Sequence, residues 1–249
     1  MTSHTDSNEV RRRKYLNALG INIWHERGKE IIEQTDYTTH ANTVSKGEKT
    51  STIVPELAVD ADKVALLDFS ALEAYVETCH ACELHKTRKQ TVFGVGHHKA
   101  DWLIIGEAPG ADEDRQGEPF VGRAGQLLTQ MLRAIGLARE EVFIANILKC
   151  RPPNNRDPKA DEVRACHSYL SRQIELLEPK IVLALGRIAA QSLLQTDMPI
   201  GKMRGKLYHL EKNNIPTVVT YHPAYLLRSP KEKRKVWEDL KFARQQILQ

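Results

Sequence analysis

Four short apolar runs alternate with longer amphipathic segments through much of the chain. Such runs, rich in β-branched residues and bounded by polar ones, are typical of buried strands. The strands are predicted at 102–106, 142–147, 181–185 and 216–220, with a short edge strand near 206–210. Apolar residues at helical spacing predict helices at 69–78, 124–137, 159–177, 187–195 and 230–248. The alternation indicates an α/β fold with a central, mostly parallel four-stranded sheet flanked by helices.

Polar residues stand at the ends of three predicted strands. Glu107 follows the first strand, Asn146 lies near the end of the second, and His222 follows the fourth. Open parallel sheets hold their ligands outside the C-terminal ends of the strands. We therefore expect these three side chains to converge at one edge of the sheet and form a site.

Two glycine-containing turns surround this predicted edge. Gly106-Glu107-Ala108-Pro109-Gly110 follows the first strand, and Glu-Pro-Phe-Val-Gly-Arg-Ala-Gly at 118–125 leads into the next long helix. Gly110 allows a close approach to the backbone, and Pro109 stiffens the turn. The pattern favours a small-molecule or phosphate site, and an ordinary strand–helix connection is the alternative.

The N-terminal part of the chain has a different composition, so the globular domain is predicted at 66–249 and an extension, mostly disordered, at 1–65. Residues 28–60 are rich in Thr, Lys, Glu, Ser and Asn, which is typical of a flexible linker. The segment 10–27 contains Leu16, Leu19 and Trp24. It predicts a partner-binding helix on that linker, and a helix that packs on its own domain is the alternative.

The overall composition leaves most classes of soluble protein open. Lys and Arg exceed Asp and Glu by 36 to 32, giving a formal net charge of +4, which permits a polyanionic partner without requiring one. No stretch contains the roughly 18–20 apolar residues of a membrane span, and the N-terminus lacks the apolar core of a signal peptide. We therefore predict a cytoplasmic protein with no membrane contact.

The four cysteines form a spaced set, in which a Cys-x-x-Cys pair is followed by two distant residues: Cys79, Cys82, Cys150 and Cys166. Two disulfides are not expected in a cytosolic protein. Four thiolates suit structural zinc or an iron–sulfur cluster, and buried free thiols are the simpler alternative. Because zinc usually takes two tight pairs, the wide spacing favours a cluster, but spacing alone leaves both metals open.

Motifs between Cys79 and Ala243 together resemble the iron–sulfur uracil-DNA glycosylases, family 4 of the uracil-DNA glycosylase superfamily. The resemblance rests on Cys-x-x-Cys, Gly-Glu-Ala-Pro-Gly, Pro-Phe-Val-Gly-Arg-Ala-Gly, Lys-Cys-Arg-Pro-Pro and His-Pro-Ala-Tyr-Leu-Leu-Arg, in that order. It implies the three-layer sandwich of that superfamily and a structural [4Fe-4S] cluster held by the four cysteines. It also implies a monofunctional enzyme that flips uracil out of DNA and excises it, leaving an abasic site.

The resemblance assigns roles to the residues of the predicted site. Phe120 is similar to the aromatic residue that stacks on the flipped uracil, and Gly106 and Gly110 bring backbone close to the lesion nucleotide. The amide of Asn146 matches the N3 and O4 edge of uracil and would discriminate against cytosine. His222 is similar to the histidine that hydrogen-bonds to O2 and stabilises the departing anion.

The resemblance also implies contacts to the DNA outside the pocket. Leu226 or Leu227 would act as a wedge that fills the gap left by the flipped base. Arg228 and the basic run 231–235 would contact phosphates. The alternative for that run, with equal weight, is a solvent-exposed first turn of a helix that binds no ligand.

The group that activates water is the role that the motifs leave open. Superfamily members with an aspartate two residues after the first motif glycine use it to position water, and here that place holds Ala108. Glu107 matches the glutamate of family 4 and is our candidate catalytic residue beside the histidine. Asp112, Glu113 and Asp114 are further candidates on the same loop.

The resemblance implies that the globular domain is a monomer and that its partner is uracil-containing DNA. The N-terminal extension is expected to bind a protein. Residues 11–24 resemble the N-terminal peptide of the psi subunit of the bacterial replicative clamp loader, which implies that loader as a partner of 10–27. A non-catalytic binder of uracil-containing or damaged DNA that recruits other proteins is the alternative function, and Ala108 favours it. A glycosylase domain fused to a polymerase is disfavoured, because 249 residues leave no room for a polymerase domain. The superfamily branch that traps its product covalently is disfavoured by Ala108 and by the short segment 201–205.

Overall fold

A mixed six-stranded sheet forms the centre of the protein, seen in a computed structural model that describes residues 59–247. The strands are β1 (Val95–Gly96), β2 (Trp102–Gly106), β3 (Phe143–Asn146), β4 (Ile181–Leu185), β5 (Leu207–His209) and β6 (Pro216–Thr220). They lie in the order β1-β3-β2-β4-β6-β5. The four central strands are parallel, whereas β1 and β5 pair antiparallel at the two edges.

The four predicted central strands are confirmed to within one residue, and the predicted edge strand near 206–210 is β5. The predicted four-stranded centre is extended by one edge strand on each side, and of these only β5 was predicted. The sequence pattern missed β1 because it has only two residues, one of them glycine, and therefore shows no periodicity.

Helices of very different length connect the strands. They are α1 (Ala61–Leu66), α2 (Phe69–Glu77), α3 (Ala111–Gln116), α4 (Arg123–Ala134), α5 (Ala160–Leu177), α6 (Arg187–Leu193), α7 (Ile200–Met203), α8 (Pro223–Arg228) and α9 (Lys233–Ile247). Single 3₁₀ turns occur at Glu83–Lys86, Arg139–Glu141, Pro153–Asn155 and Pro230–Glu232. The last of these explains why α9 begins three residues later than predicted.

The buried side chains divide into two main cores, one on each face of the sheet. Leu103 and Ile105 of β2 enter the core that contains α2 and α5. Trp102 and Ile104 enter the opposite core, with α4, α8 and α9. Because alternate residues of a strand point to opposite faces, a strand covered on both sides must be apolar throughout. The result is a three-layer arrangement of helices, sheet and helices.

The described part of the chain begins before the predicted boundary at 65/66. Asp60 caps α1 by accepting a hydrogen bond from the Lys63 backbone N–H at 3.0 Å, and Val64 is buried in the core shared with α2. The predicted helix at 10–27 lies outside the described residues. Within 59–247, none of the helices combines the length and apolar character needed to cross a bilayer.

Candidate active site

A cleft of about 430 Å³ opens where β2, β3 and β6 end. The Cα atoms of Gly106 and Asn146 are register partners on β2 and β3, and His222 follows β6 and caps α8. The cleft is lined by the predicted rim residues together with neighbours from both glycine turns: Glu107, Gly110, Glu113, Phe120, Asn146, His222 and Arg228. The expected convergence of three strand ends is therefore present in the fold.

Phe120 forms one wall of the cleft in a backbone conformation that needs support. Its φ of 56° lies in the left-handed region, which is costly for an aromatic residue and persists only where the surroundings impose it. Gly125 makes room for this conformation, because a Cβ there would lie 1.6 Å from the Phe120 carbonyl oxygen. The Phe120 ring lies 5.4 Å from that of His222, measured between centroids, with 30° between the planes. The planes of these two rings in the cleft are therefore tilted by only 30° from parallel.

Asn146 offers the cleft a buried acceptor that no protein group uses. The residue is 2% exposed, and its Oδ1 has no hydrogen-bond partner in the described chain. A buried, unsatisfied amide oxygen costs about 1–3 kcal/mol, so it marks a place for a ligand N–H. Gly106 does not line the cleft but makes room for it. A Cβ on Gly106 would lie 2.4 Å from Asn146 Oδ1 and 2.6 Å from the Phe120 ring.

His222 is held as a neutral donor. The backbone N–H of Ala224 donates to His222 Nδ1 at 3.2 Å, so a neutral ring carries its proton on Nε2. Burial, helped by the charge of Arg228, lowers the pKa of His222 to about 4. At neutral pH the ring therefore presents an Nε2–H without carrying a charge of its own.

Glu107 lies in the cleft, and the pKa of its carboxyl group is raised. Burial, with a smaller contribution from Asp157, raises the pKa of Glu107 to about 7, while Arg187 acts in the opposite direction. Arg187 and Asp157 themselves form an ion pair at 2.7 Å. A carboxyl group with a pKa near the working pH is suited to accept or position a proton.

The other three carboxylates of the loop are already engaged, so the structure argues against them as water activators. Glu113 accepts backbone hydrogen bonds from Gly110 at 3.1 Å, from Val121 at 3.1 Å and from Gly122 at 3.2 Å. Asp114 is buried and accepts from the Lys89 backbone N–H. Asp112 pairs with Arg115 in solvent. Glu113 instead ties the two glycine turns together beside Phe120.

Of the two leucines predicted as a wedge, only one is exposed. Leu226 is 1% exposed and belongs to the core under α4 and α9, so its assignment as a DNA-binding residue was wrong. Leu227 is 38% exposed. Arg228 is exposed at the end of α8 and lines the cleft. Gly110 also lines the cleft, and its N–H is occupied by Glu113.

The four cysteines are free thiols, of which Cys150 and Cys166 are buried. Cys79 and Cys82 pack against the core that contains Cys150 and Cys166. Burial raises the pKa of Cys150 to about 11 and that of Cys166 to about 12, and neighbouring cysteines add to both shifts. Across residues 59–247, however, no group of three or more His, Cys, Asp or Glu side chains has an arrangement that would hold a metal ion.

The sequence reasoning missed two polar anchors behind the cleft. Lys149 is 1% exposed, and its Nζ donates to the carbonyls of Asn146 at 3.0 Å and Phe93 at 3.2 Å and to Gln173 at 2.6 Å. Glu162 is also buried and pairs with the Arg156 guanidinium through both carboxylate oxygens. The signal for Lys149 was a lone lysine three residues after a buried strand, but two of its three partners, Phe93 and Gln173, are remote in sequence.

The comparisons with known proteins agree with this geometry. A family model described as the uracil DNA glycosylase superfamily matches residues 93–241. A type-4 uracil-DNA glycosylase of Archaeoglobus fulgidus is 47% identical over 172 residues, which cover 67% of this chain and 86% of that protein. One of Pyrobaculum aerophilum is 44% identical over 180 residues, covering 70% and 92%. One of Thermotoga maritima is 44% identical over 174 residues, covering 68% and 89%.

Proposed function

The chain belongs to the uracil DNA glycosylase superfamily, and we propose that it is a type-4, monofunctional enzyme that excises uracil from DNA. Excision leaves an abasic site and so starts base excision repair. The observation that carries this proposal is the unpartnered, buried Oδ1 of Asn146, which faces a cleft shared with Phe120 and His222. An acceptor, an aromatic face and a neutral donor are the groups that a uracil ring requires.

The base must leave the duplex before it can enter the cleft, which costs a few kcal/mol of unstacking and unpairing. Phe120 supports this step by offering its ring as a replacement stacking surface. Asn146 Oδ1 accepts from uracil N3–H, and the amide nitrogen donates to O4. Cytosine has an acceptor at N3 and an amino group at C4, so it would leave these groups of Asn146 unpaired. Discrimination by such unpaired buried groups is strong.

Cleavage of the N-glycosidic bond places negative charge on uracil and positive charge on the sugar. The neutral Nε2–H of His222 donates to O2 as the charge develops, and it acts in a partly water-excluded site where such a donor is effective. The neutral ring is suited to this role because it needs no proton transfer. Removal of one donor of this kind typically costs about 10²–10³ in rate.

Water must reach C1′ of the sugar, and Glu107 is the candidate for holding it. Its partly buried carboxyl group lies in the cleft and has a pKa of about 7. Water that donates to this carboxylate would be aimed at the sugar carbon and would lose its proton as the bond forms. Ala108 occupies the place that an aspartate takes in other branches, so Glu107 has no competing carboxylate there.

Leu227, which lies outside the cleft, and Arg228, which is one of its lining residues, are the proposed DNA contacts. Leu227 is an exposed leucine on the short helix that follows His222, and it would fill the space left by the flipped base. Arg228 would meet a phosphate next to the lesion. Gly110 keeps the adjoining loop close to the nucleotide, since a side chain there would collide with Glu113.

We also propose that the four cysteines hold a [4Fe-4S] cluster. The proposal is supported by the donor set, since four soft thiols around one core are what such a cluster takes, whereas their positions in residues 59–247 do not form a metal-binding group. The Arg88 guanidinium, 3.1 Å from Cys150 Sγ, would offset the negative charge of the cluster. The cluster would supply a cross-link between the segment after α2, the segment after β3 and α5, with no part in the bond cleavage. Iron and sulfide analysis of anaerobically purified protein tests this, and a zinc-containing, colourless protein would contradict it.

The remaining predictions concern what lies around the domain. The clamp loader as a partner of 10–27, the monomeric state and the cytoplasmic location remain predictions from the sequence. Retention of clamp-loader protein by an immobilised peptide of residues 10–27, and its loss on Trp24→Ala, would support the first.

The proposed function is tested with an oligonucleotide that carries one uracil. After incubation, alkali cleaves any abasic site and a denaturing gel shows the product. We expect cleavage by the native chain only after alkali, no cleavage of thymine or cytosine controls, and losses of about 100-fold in Asn146→Ala and His222→Ala. Binding of the uracil strand without cleavage would favour the recruiting module instead.

A further inference from the structure

A second hollow, shallower and more open than the cleft, lies on the other side of the proposed wedge. It measures about 430 Å³ and is lined by Arg123, Gln126, Leu127 and Gln130 of α4 together with Leu227. The first four residues recur at helical spacing, so they share one face of α4. No residue of this hollow belongs to the lining of the cleft, although Ala124 of the same helix does.

The packing of α8 holds the wedge next to this face of α4. Leu226 is buried in the same core as Leu128 of α4. The next residue, Leu227, therefore lies beside the exposed edge of that helix. Tyr225 and Arg228 of α8 face the cleft, whereas Leu227 faces the hollow. The cleft and the hollow therefore adjoin each other across Leu227.

The polar groups of the hollow are available to a ligand. Arg123, Gln126 and Gln130 are exposed, and in the part of the chain that the structure describes none of their side chains takes part in a hydrogen bond or an ion pair. One guanidinium and two amides are a poor match for a run of phosphates, which would call for several cations. They match the edge of a base well, since guanidinium pairs with guanine and amides pair with purine edges.

We propose that this hollow receives the base that stood opposite the uracil, and that guanine is the base it favours. The inference rests on the proposed function, because an unpaired opposite base exists only once the uracil has been flipped. Deamination of cytosine leaves uracil opposite guanine, so the lesion itself supplies that partner. Arg123 donates to guanine O6 and N7, and the two glutamines adapt to the remaining edge.

The experiment compares three duplexes that differ only opposite the uracil, where they carry guanine, adenine or a tetrahydrofuran abasic analogue. We expect kcat/KM for the native chain to be about tenfold higher opposite guanine than opposite the analogue, the size expected for one good base contact. Arg123→Ala, and to a smaller extent Gln126→Ala and Gln130→Ala, should reduce this ratio toward one. Arg133→Ala is the matched control, since it removes an exposed arginine of α4 outside the hollow.

The outcomes separate the two claims. A ratio that stays the same in Arg123→Ala, or an equal loss on all three duplexes, would overturn the hollow as a base site and indicate phosphate contact. No uracil release by the native chain from any duplex or single strand would overturn the proposed function. A readout without catalysis uses product-like duplexes with a tetrahydrofuran in place of the uracil nucleotide, where Arg123→Ala should weaken binding about tenfold only opposite guanine.

Discussion

Gly106→Ala gives a sharp test of how the cleft is built, because the change adds one methyl group at a place with no room for it. The new Cβ would lie 2.4 Å from Asn146 Oδ1 and 2.6 Å from Phe120 Cζ. The backbone of Gly106 is not in a left-handed conformation, so alanine suits the strand itself. The effect must therefore come from displacement of the two side chains that the proposal places on the uracil ring.

The size of the effect follows from the overlap. Ordinary carbon contacts lie at about 3.5–4.0 Å, so each neighbour must retreat by roughly 1 Å. Overpacking of this kind costs about 1–3 kcal/mol of stability, which leaves a domain of this size folded. A displacement of about 1 Å in a reacting arrangement costs about 10² in rate, equal to about 2.7 kcal/mol of barrier. We therefore expect a loss of activity far larger than the loss of fold.

The measurement is single-turnover uracil excision, with urea unfolding on the same preparations. Gly201→Ala is the matched control, since a Cβ on Gly201 meets nothing within 4 Å, and it should excise at the native rate. Excision by Gly106→Ala within threefold of the native rate would contradict this expectation, because excision would then not depend on the positions of Asn146 and Phe120.

Three further predictions follow from the site. If Glu107 positions water as its carboxylate, kcat/KM should rise with pH through about 7, the pKa of that group, and Glu107→Gln should give a low, flat profile; an unchanged rise in the variant would assign it to another group. Leu227→Ala should slow excision from duplexes about tenfold, or about 1.4 kcal/mol, and leave single strands unaffected, whereas equal losses on both would remove the wedge role. Glu113→Ala should lower the free energy of unfolding by about 3 kcal/mol, because it removes a charged acceptor of three backbone N–H groups. Asp112→Ala, which alters only an exposed pair, should change it by less than about 0.5 kcal/mol in urea titrations.

The sheet and its rim were predictable because both follow from local patterns. Runs such as 102–105 are apolar at every position, which is typical of a parallel strand covered on both faces. Because parallel sheets bind ligands at the C-terminal ends of their strands, Glu107, Asn146 and His222 were expected to lie together. These three residues are far apart in sequence, and no single motif joins them.

Other features depend on distances that the sequence does not encode locally. The choice between Leu226 and Leu227 depends on the rotation of a six-residue helix, which is too short to show periodicity. The Glu113 carboxylate reaches backbone N–H groups eight and nine residues away, so its loop position alone was compatible with a water-activating carboxylate. The contact between Arg88 and Cys150 spans 62 residues and requires the folded core.

If the cleft acts as proposed, it releases uracil as a free base and leaves the DNA strand intact. The most direct measurement is mass spectrometry of both products after single-turnover reaction with a uracil-containing oligonucleotide. We expect one free uracil for each full-length strand with an abasic site, and neither product with Asn146→Ala at equal times. Cleaved strands without alkali, or bound DNA with no free uracil, would contradict it.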